Sequence, residues 1–209
     1  MEKSLKILSV NLKHNLLPYT AVCILMIILS PFFMGTKNLL QNQTAKVIEV
    51  YLSLFGIIMM IPVFSPDMNK DIRDLIYSKK TPVFLLHIIR TMQSVLIFVV
   101  LGIIFLFYLK AGNCSFDFGK ILYTLMANSI FLGGMGMLVF SVTDQVVFAY
   151  MIPLIYYEAN FGAGKDKLGK IYLFTMQTGS INEKHYLIVI GLFMVILSIF
   201  ARQFIHLKK

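Results

Sequence analysis

Long apolar runs separated by short polar stretches dominate the chain. A helix rising 1.5 Å per residue needs roughly 20 mostly apolar residues to cross about 30 Å of hydrocarbon. Runs 16–34, 47–65, 85–109 and 186–204 meet that requirement. So does 120–142, although it carries Asn128 and a Gly133-Gly134-Met135-Gly136 cluster. The stretch 143–161 crosses only if its polar flanks, 143–145 and 158–161, are drawn into the interface. The pattern predicts an all-α integral membrane protein with about six transmembrane helices, five being the alternative count. These form a single transmembrane domain over 1–209, since six spans leave only short loops and tails.

Two polar stretches have a pattern of their own. Near the N-terminus, Leu5, Leu8 and Leu12 recur at i, i+3 and i+7, with Lys3, Lys6 and Lys13 elsewhere on the wheel. This predicts a short N-terminal interfacial helix over 2–14, its lysines drawn to anionic lipid, with Pro18 as the bend into the first span. Between spans two and three, Pro66 is expected to stop the second span and Asp67 to cap a short helix. Met68, Ile72, Leu75 and Ile76 make an apolar stripe on that helix, opposite Lys70, Arg73, Asp74 and Lys79. An amphipathic helix carrying both signs of charge reads as a docking surface for another protein.

Composition agrees with the pattern. The 209 residues are 58% hydrophobic and 14% charged, whereas soluble domains average about 45–50% and about 25%. A soluble fold of this size lacks the interior to hide that apolar surface, and disordered chains are poor in it. The net charge of +9 is distributed around the spans, so it points to membrane lipid and not to nucleic acid. Eleven of the 19 basic residues fall on the side shared by both termini in a six-span chain. That bias predicts cytoplasmic termini.

The census of reactive groups is short. The run Gly162-Ala163-Gly164-Lys165 lacks the earlier glycine of a phosphate loop, and Asp166 replaces its magnesium-binding hydroxyl. His14, His87, His185 and His206 are scattered, and Cys23 and Cys114 have no metal-site spacing. Ser53, Ser94, Ser129 and Ser198 lie in spans without a base at a helical neighbour position, and are expected to hydrogen-bond helices. Glu49 and Glu158 sit near one end of their spans and Arg90 and Asp144 near the other, which argues against midplane ion coupling. Neither catalysis nor a bound cofactor is expected in this chain. Ser129, Gly133 and Gly136 thin one face of the span 120–142, for helix packing or a subunit interface.

The order of these parts resembles the permease subunits of type-2 ATP-binding-cassette (ABC-2) exporters. The most specific stretch runs from Asp71 to Arg90, where Leu75, Ile76, Ser78, Pro82 and Arg90 match the family's segment after span two. It departs from the family in having Ile72-Arg73 ahead of the leucine and in a later proline. The resemblance implies that Asp71, Ile72, Arg73, Asp74, Leu75, Ile76 and Ser78 form a cytoplasmic coupling helix that engages a separate ATPase. It further implies two copies of that ATPase, which would hold ATP and magnesium, and a second permease, identical or paralogous. The location implied is the bacterial cytoplasmic membrane, and the cargo a peptide, lipid or drug-like molecule.

Two other classes compete. Small six-span substrate-binding components of uptake transporters have a similar size, but they resemble one another in an Ala-x-x-x-Ala pattern in the first span. Here Ala21 is followed at i+4 by Leu25. An intramembrane enzyme would need paired catalytic residues, which the sequence does not offer.

Overall fold

The computed structural model describes residues 8–69 and 83–206. Among the described residues every regular element is helical. We number the long helices α1 (Leu8–Met34), α2 (Gln41–Met68), α3 (Val83–Ala111), α4 (Phe118–Thr143), α5 (Val146–Leu168) and α6 (Asn182–His206). Five of them, all but α5, are long and apolar enough to cross a membrane. Helix α5 has 23 residues and carries Glu158, Lys165, Asp166 and Lys167 in its second half. Its regular course breaks at Gly164, where φ is 67°.

Successive helices run antiparallel. Asn15 of α1 reaches Pro62 late in α2, whereas Tyr51 of α2 donates to the Met26 carbonyl late in α1, at 3.0 Å. We call the end where α1 begins the near end. At the far end, the connection after α1 pairs with the one after α3, through Asn38 N–H to the Gly112 carbonyl at 2.9 Å and Ser115 N–H to the Leu39 carbonyl at 3.0 Å. Helix α4 starts there on an Asp117 cap, and the Lys120 N–H it accepts holds its carboxyl below the ordinary range.

Helices α2 and α4 are buried along most of their length, while α1, α3 and α6 expose apolar faces, Phe32 among them at 84%. Helix α2 is also the least regular. It passes from α-helix into a π segment (Val47–Tyr51), a 3-10 turn (Leu52–Leu54), one α segment (Phe55–Met60) and a 3-10 run (Ile61–Met68). In hydrocarbon, backbone groups freed by such irregularities need a partner inside the protein. Neighbours supply them: the Tyr157 hydroxyl donates to the Val50 carbonyl, and Ser129 Oγ to the Ser53 carbonyl at 3.4 Å. Prolines are served in the same way. The Pro62 carbonyl, which Pro66 has no N–H to serve in an α register, accepts Asn15 Nδ2 at 3.2 Å. In α1, Pro31 leaves the Ile27 carbonyl to Ser30 Oγ at 2.7 Å.

Two boundary expectations are corrected. Pro66 does not stop the second helix, which continues through it as 3-10 turns to Met68, before Asn69 turns extended. Asp67 is therefore no cap but a residue inside that run. Likewise, residues 8–14 are not a separate interfacial helix. They continue into α1 through a π segment (Leu12–Leu16), and Pro18 falls in the first turn of the α-helical part. The reason is polar anchoring: buried Asn11 donates to Gln93 Oε1 at 2.8 Å, and Gln93 Nε2 to the Leu8 carbonyl at 3.0 Å. Residues 2–7 lie outside the described residues.

Candidate functional site: two buried ionic clusters

At the far end, the segment after α5 turns back against the bundle, with Leu173, Phe174, Thr175 and Met176 buried. What holds it is ionic. Lys184, in the first turn of α6, pairs with Glu49 of α2 at 2.6 Å, neither side chain having any solvent exposure. All three ammonium donors are used, the others on Asn128 Oδ1 at 2.9 Å and on the Leu173 carbonyl. The two oxygens of Glu49 accept the backbone N–H groups of Met176 and Gln177, at 2.9 and 3.2 Å. Asn160 of α5 accepts the Leu173 N–H at 2.8 Å, and the Tyr156 hydroxyl donates to the Ile171 carbonyl at 2.5 Å. Burial raises the Tyr172 phenol above its ordinary range, with the Glu49 charge adding to it. A pair this deep survives desolvation because its remaining donors and acceptors are satisfied.

At the near end, Asp67 joins α2 to α3. Its carboxylate accepts Arg90 Nη1 at 2.9 Å and lies 3.4 Å from His87 Nε2. Asp67 and Arg90 thus clasp the two helix ends between which 70–82 runs. The neighbouring Phe64 ring meets His87 edge-on at 5.1 Å between centroids. Arg202 of α6 stands over Phe64 and Phe140, each ring centre 5.7 Å from its guanidinium carbon, and pairs with Asp144 at the α4–α5 turn. Asp144 takes a left-handed conformation there, φ 57°, which ends α4 sharply.

Between the clusters lies the seam of small residues. Ser129 and Gly133 pack on Gly56 of α2: a Cβ on Gly133 would lie 2.7 Å from the Gly56 carbonyl oxygen, and one on Gly56 would overlap the Ser129 carbonyl. Gly136 meets Ile61 of α2 and the Ala149 carbonyl of α5, 3.0 Å from where its Cβ would be. Pro153 leaves that carbonyl without its helical donor. These contacts are made within the chain. Serines inside the apolar helices donate to backbone carbonyls, among them Ser53 to Glu49, Ser94 to Arg90, Ser129 to Ser53 and Ser198 to Val195.

The expected coupling residues Asp71, Ile72, Arg73, Asp74, Leu75, Ile76 and Ser78 lie outside the described residues. The pairings Glu49–Lys184, Asp67–Arg90 and Asp144–Arg202 were not read from the sequence. One signal was available, since opposite charges stand at matching depths of different apolar runs. Among the described residues no group of three or more His, Cys, Asp or Glu is arranged to hold a metal ion. No protein family, curated protein or solved structure matches the chain.

Proposed function

We propose that this chain is the permease subunit of an ABC-2-type exporter. It crosses the bacterial cytoplasmic membrane six times with both termini inside, and it works with a second permease and two copies of a separate ATPase. ATP and magnesium belong to that ATPase. Six crossings are supported by α5, whose Ala149 adjoins Ile61 across Gly136 and whose Tyr157 bonds Val50, so that it follows α2 along its length. The near end is then the cytoplasmic one.

The observation that carries the reading is the Asp67–Arg90 pair with His87 beside it. An external motor acting on 70–82 needs that segment fixed to spans on both sides. A buried ion pair between its flanking helices does this, because breaking it costs about 3–5 kcal/mol. Arg90 is also the residue that the family resemblance places at the entrance to span three.

Docking is assigned to the stripe Ile72, Leu75 and Ile76, with Arg73 and Asp74 setting orientation. Each buried leucine or isoleucine contributes about 1.5–3 kcal/mol. Replacing both Leu75 and Ile76 with aspartate should weaken association at least about a hundredfold at 1.4 kcal/mol per decade. The test is co-purification with a co-expressed ABC ATPase, together with stimulation of its ATP hydrolysis. Association lost in a well-inserted double variant supports the reading; association and stimulation both unchanged overturn it.

A further inference from the structure

The near-end third of α2 has an unusual form. The run Ile61–Met68 keeps 3-10 geometry for eight residues, where such runs seldom exceed three or four. Two prolines, Pro62 and Pro66, fall within it, and neither has an N–H to close a backbone hydrogen bond. A 3-10 helix rises about 2.0 Å per residue with three residues per turn, against 1.5 Å and 3.6 in an α-helix. Eight residues are therefore about 4 Å longer in this form than as α-helix, and Asp67 is turned by about 120° relative to Ile61.

Two contacts bear on the choice between the forms. In the 3-10 register the Pro62 carbonyl faces the Ser65 N–H. In an α register it faces Pro66, which has none. Asn15 Nδ2 already donates to that carbonyl at 3.2 Å, so in an α register it would keep a partner inside the protein. The second contact opposes the change: a turn of about 120° would carry Asp67 away from Arg90 and His87. The α segment Phe55–Met60 above the run is held on Ser129 and Gly133 through Gly56, so a change of register would leave it in place and repack the buried side chains of the run, Ile61 on Gly136 and Phe64 between His87 and Phe140.

We propose that Ile61–Met68 is a two-state screw. It is held in its long 3-10 register by the Asp67 clasp, and it shortens to an α register, with Asn15 replacing the missing proline donor, once Asp67 is released. That this motion is the stroke driven through 70–82 rests on the permease reading; the register change itself does not.

Nitroxide labels on Leu40→Cys and Met68→Cys, both exposed positions bracketing α2, measure it in the isolated chain in lipid nanodiscs, with Cys23 and Cys114 replaced by alanine. The parent should give one distance. Asp67→Asn should add a population about 4 Å shorter. Adding Asn15→Leu should remove that population, and adding Pro66→Ala to the pair should restore it, since position 66 then has an N–H. A single unchanged distance in Asp67→Asn and in Asp67→Asn/Pro66→Ala overturns the proposal. So does a short population indifferent to Asn15→Leu. The rescue arm separates loss of the donor from loss of the fold, and no ATPase is needed, so a failed permease reading leaves the result intact.

Discussion

Glu49 and Lys184, drawn from the second and the last helix, form an ion pair at 2.6 Å with no solvent exposure on either side chain. Removing one partner strands the other charge, at a cost of about 3–5 kcal/mol. Lys184→Met and Glu49→Ala should each lower the midpoint of thermal unfolding in detergent sharply. The charge reversal Glu49→Lys/Lys184→Glu should fail to restore it, because a lysine at 49 cannot accept the Met176 and Gln177 N–H groups. Recovery of parental stability by the reversal would show that the pair acts by charge alone.

The glycines should rank by what a methyl group meets. Gly56→Ala drives into the Ser129 carbonyl, which cannot move without the whole of α4, and exceeds the usual overpacking cost of about 1–3 kcal/mol. Gly133→Ala should fall within that range or above it, because the Gly56 carbonyl is backbone as well. At Gly102 the obstacle is only the Leu125 side chain, which can change rotamer. Gly162→Ala meets nothing within 4 Å inside a helix and should be neutral or stabilising by up to about 1 kcal/mol. Thermal unfolding of the four variants checks the order, and a Gly56→Ala protein as stable as Gly162→Ala would contradict the close approach of α2 and α4.

What the sequence made legible is what depends on neighbouring residues along the chain. Apolar run lengths gave the membrane class and most helix positions, and the spacing of Ser129, Gly133 and Gly136 gave a packing face. Prolines were misleading because their effect depends on partners elsewhere. Pro66 looks like a stop, but the helix passes it in 3-10 turns, with Asn15, far away in sequence, on the Pro62 carbonyl. Ion pairing was hidden for the same reason: Glu49 meets Lys184 only once α2 and α6 have both packed on α4. Lys184 reads as a loop charge until α6 is seen to start two residues before it.

Topology distinguishes six crossings from five. Single cysteines at Leu5, Asp74, Asp166 and Leu207, in a chain with Cys114 replaced, should react with an impermeant thiol reagent on intact cells only at Asp166→Cys. Positions 5, 74 and 207 should react after permeabilisation. Labelling of Leu207→Cys with protection of Leu5→Cys would mean that α5 does not cross.

The two near-end arginines should respond differently to the same substitution. Arg90→Met leaves the Asp67 carboxylate, 8% exposed, with His87 at 3.4 Å as its ionic partner among the described residues. That is a buried charge robbed of its main partner, and the loss should be about 3–5 kcal/mol. Arg202 is buried as deeply, with Nε and Nη2 lacking an acceptor among the described residues as Arg90 Nε does, but its partner Asp144 is 34% exposed and open to water. Arg202→Met removes the one donor paired with Asp144 along with two that lack a partner among the described residues, fills similar volume beside Phe64 and Phe140, and lets Asp144 hydrate. Its loss should be smaller than that of Arg90→Met, because the carboxylate left behind is one that water can reach. Unfolding midpoints measured side by side decide the matter: an Arg202→Met loss as large as that of Arg90→Met would mean that the cation over the two rings, and not the carboxylate clasp, holds the near end together.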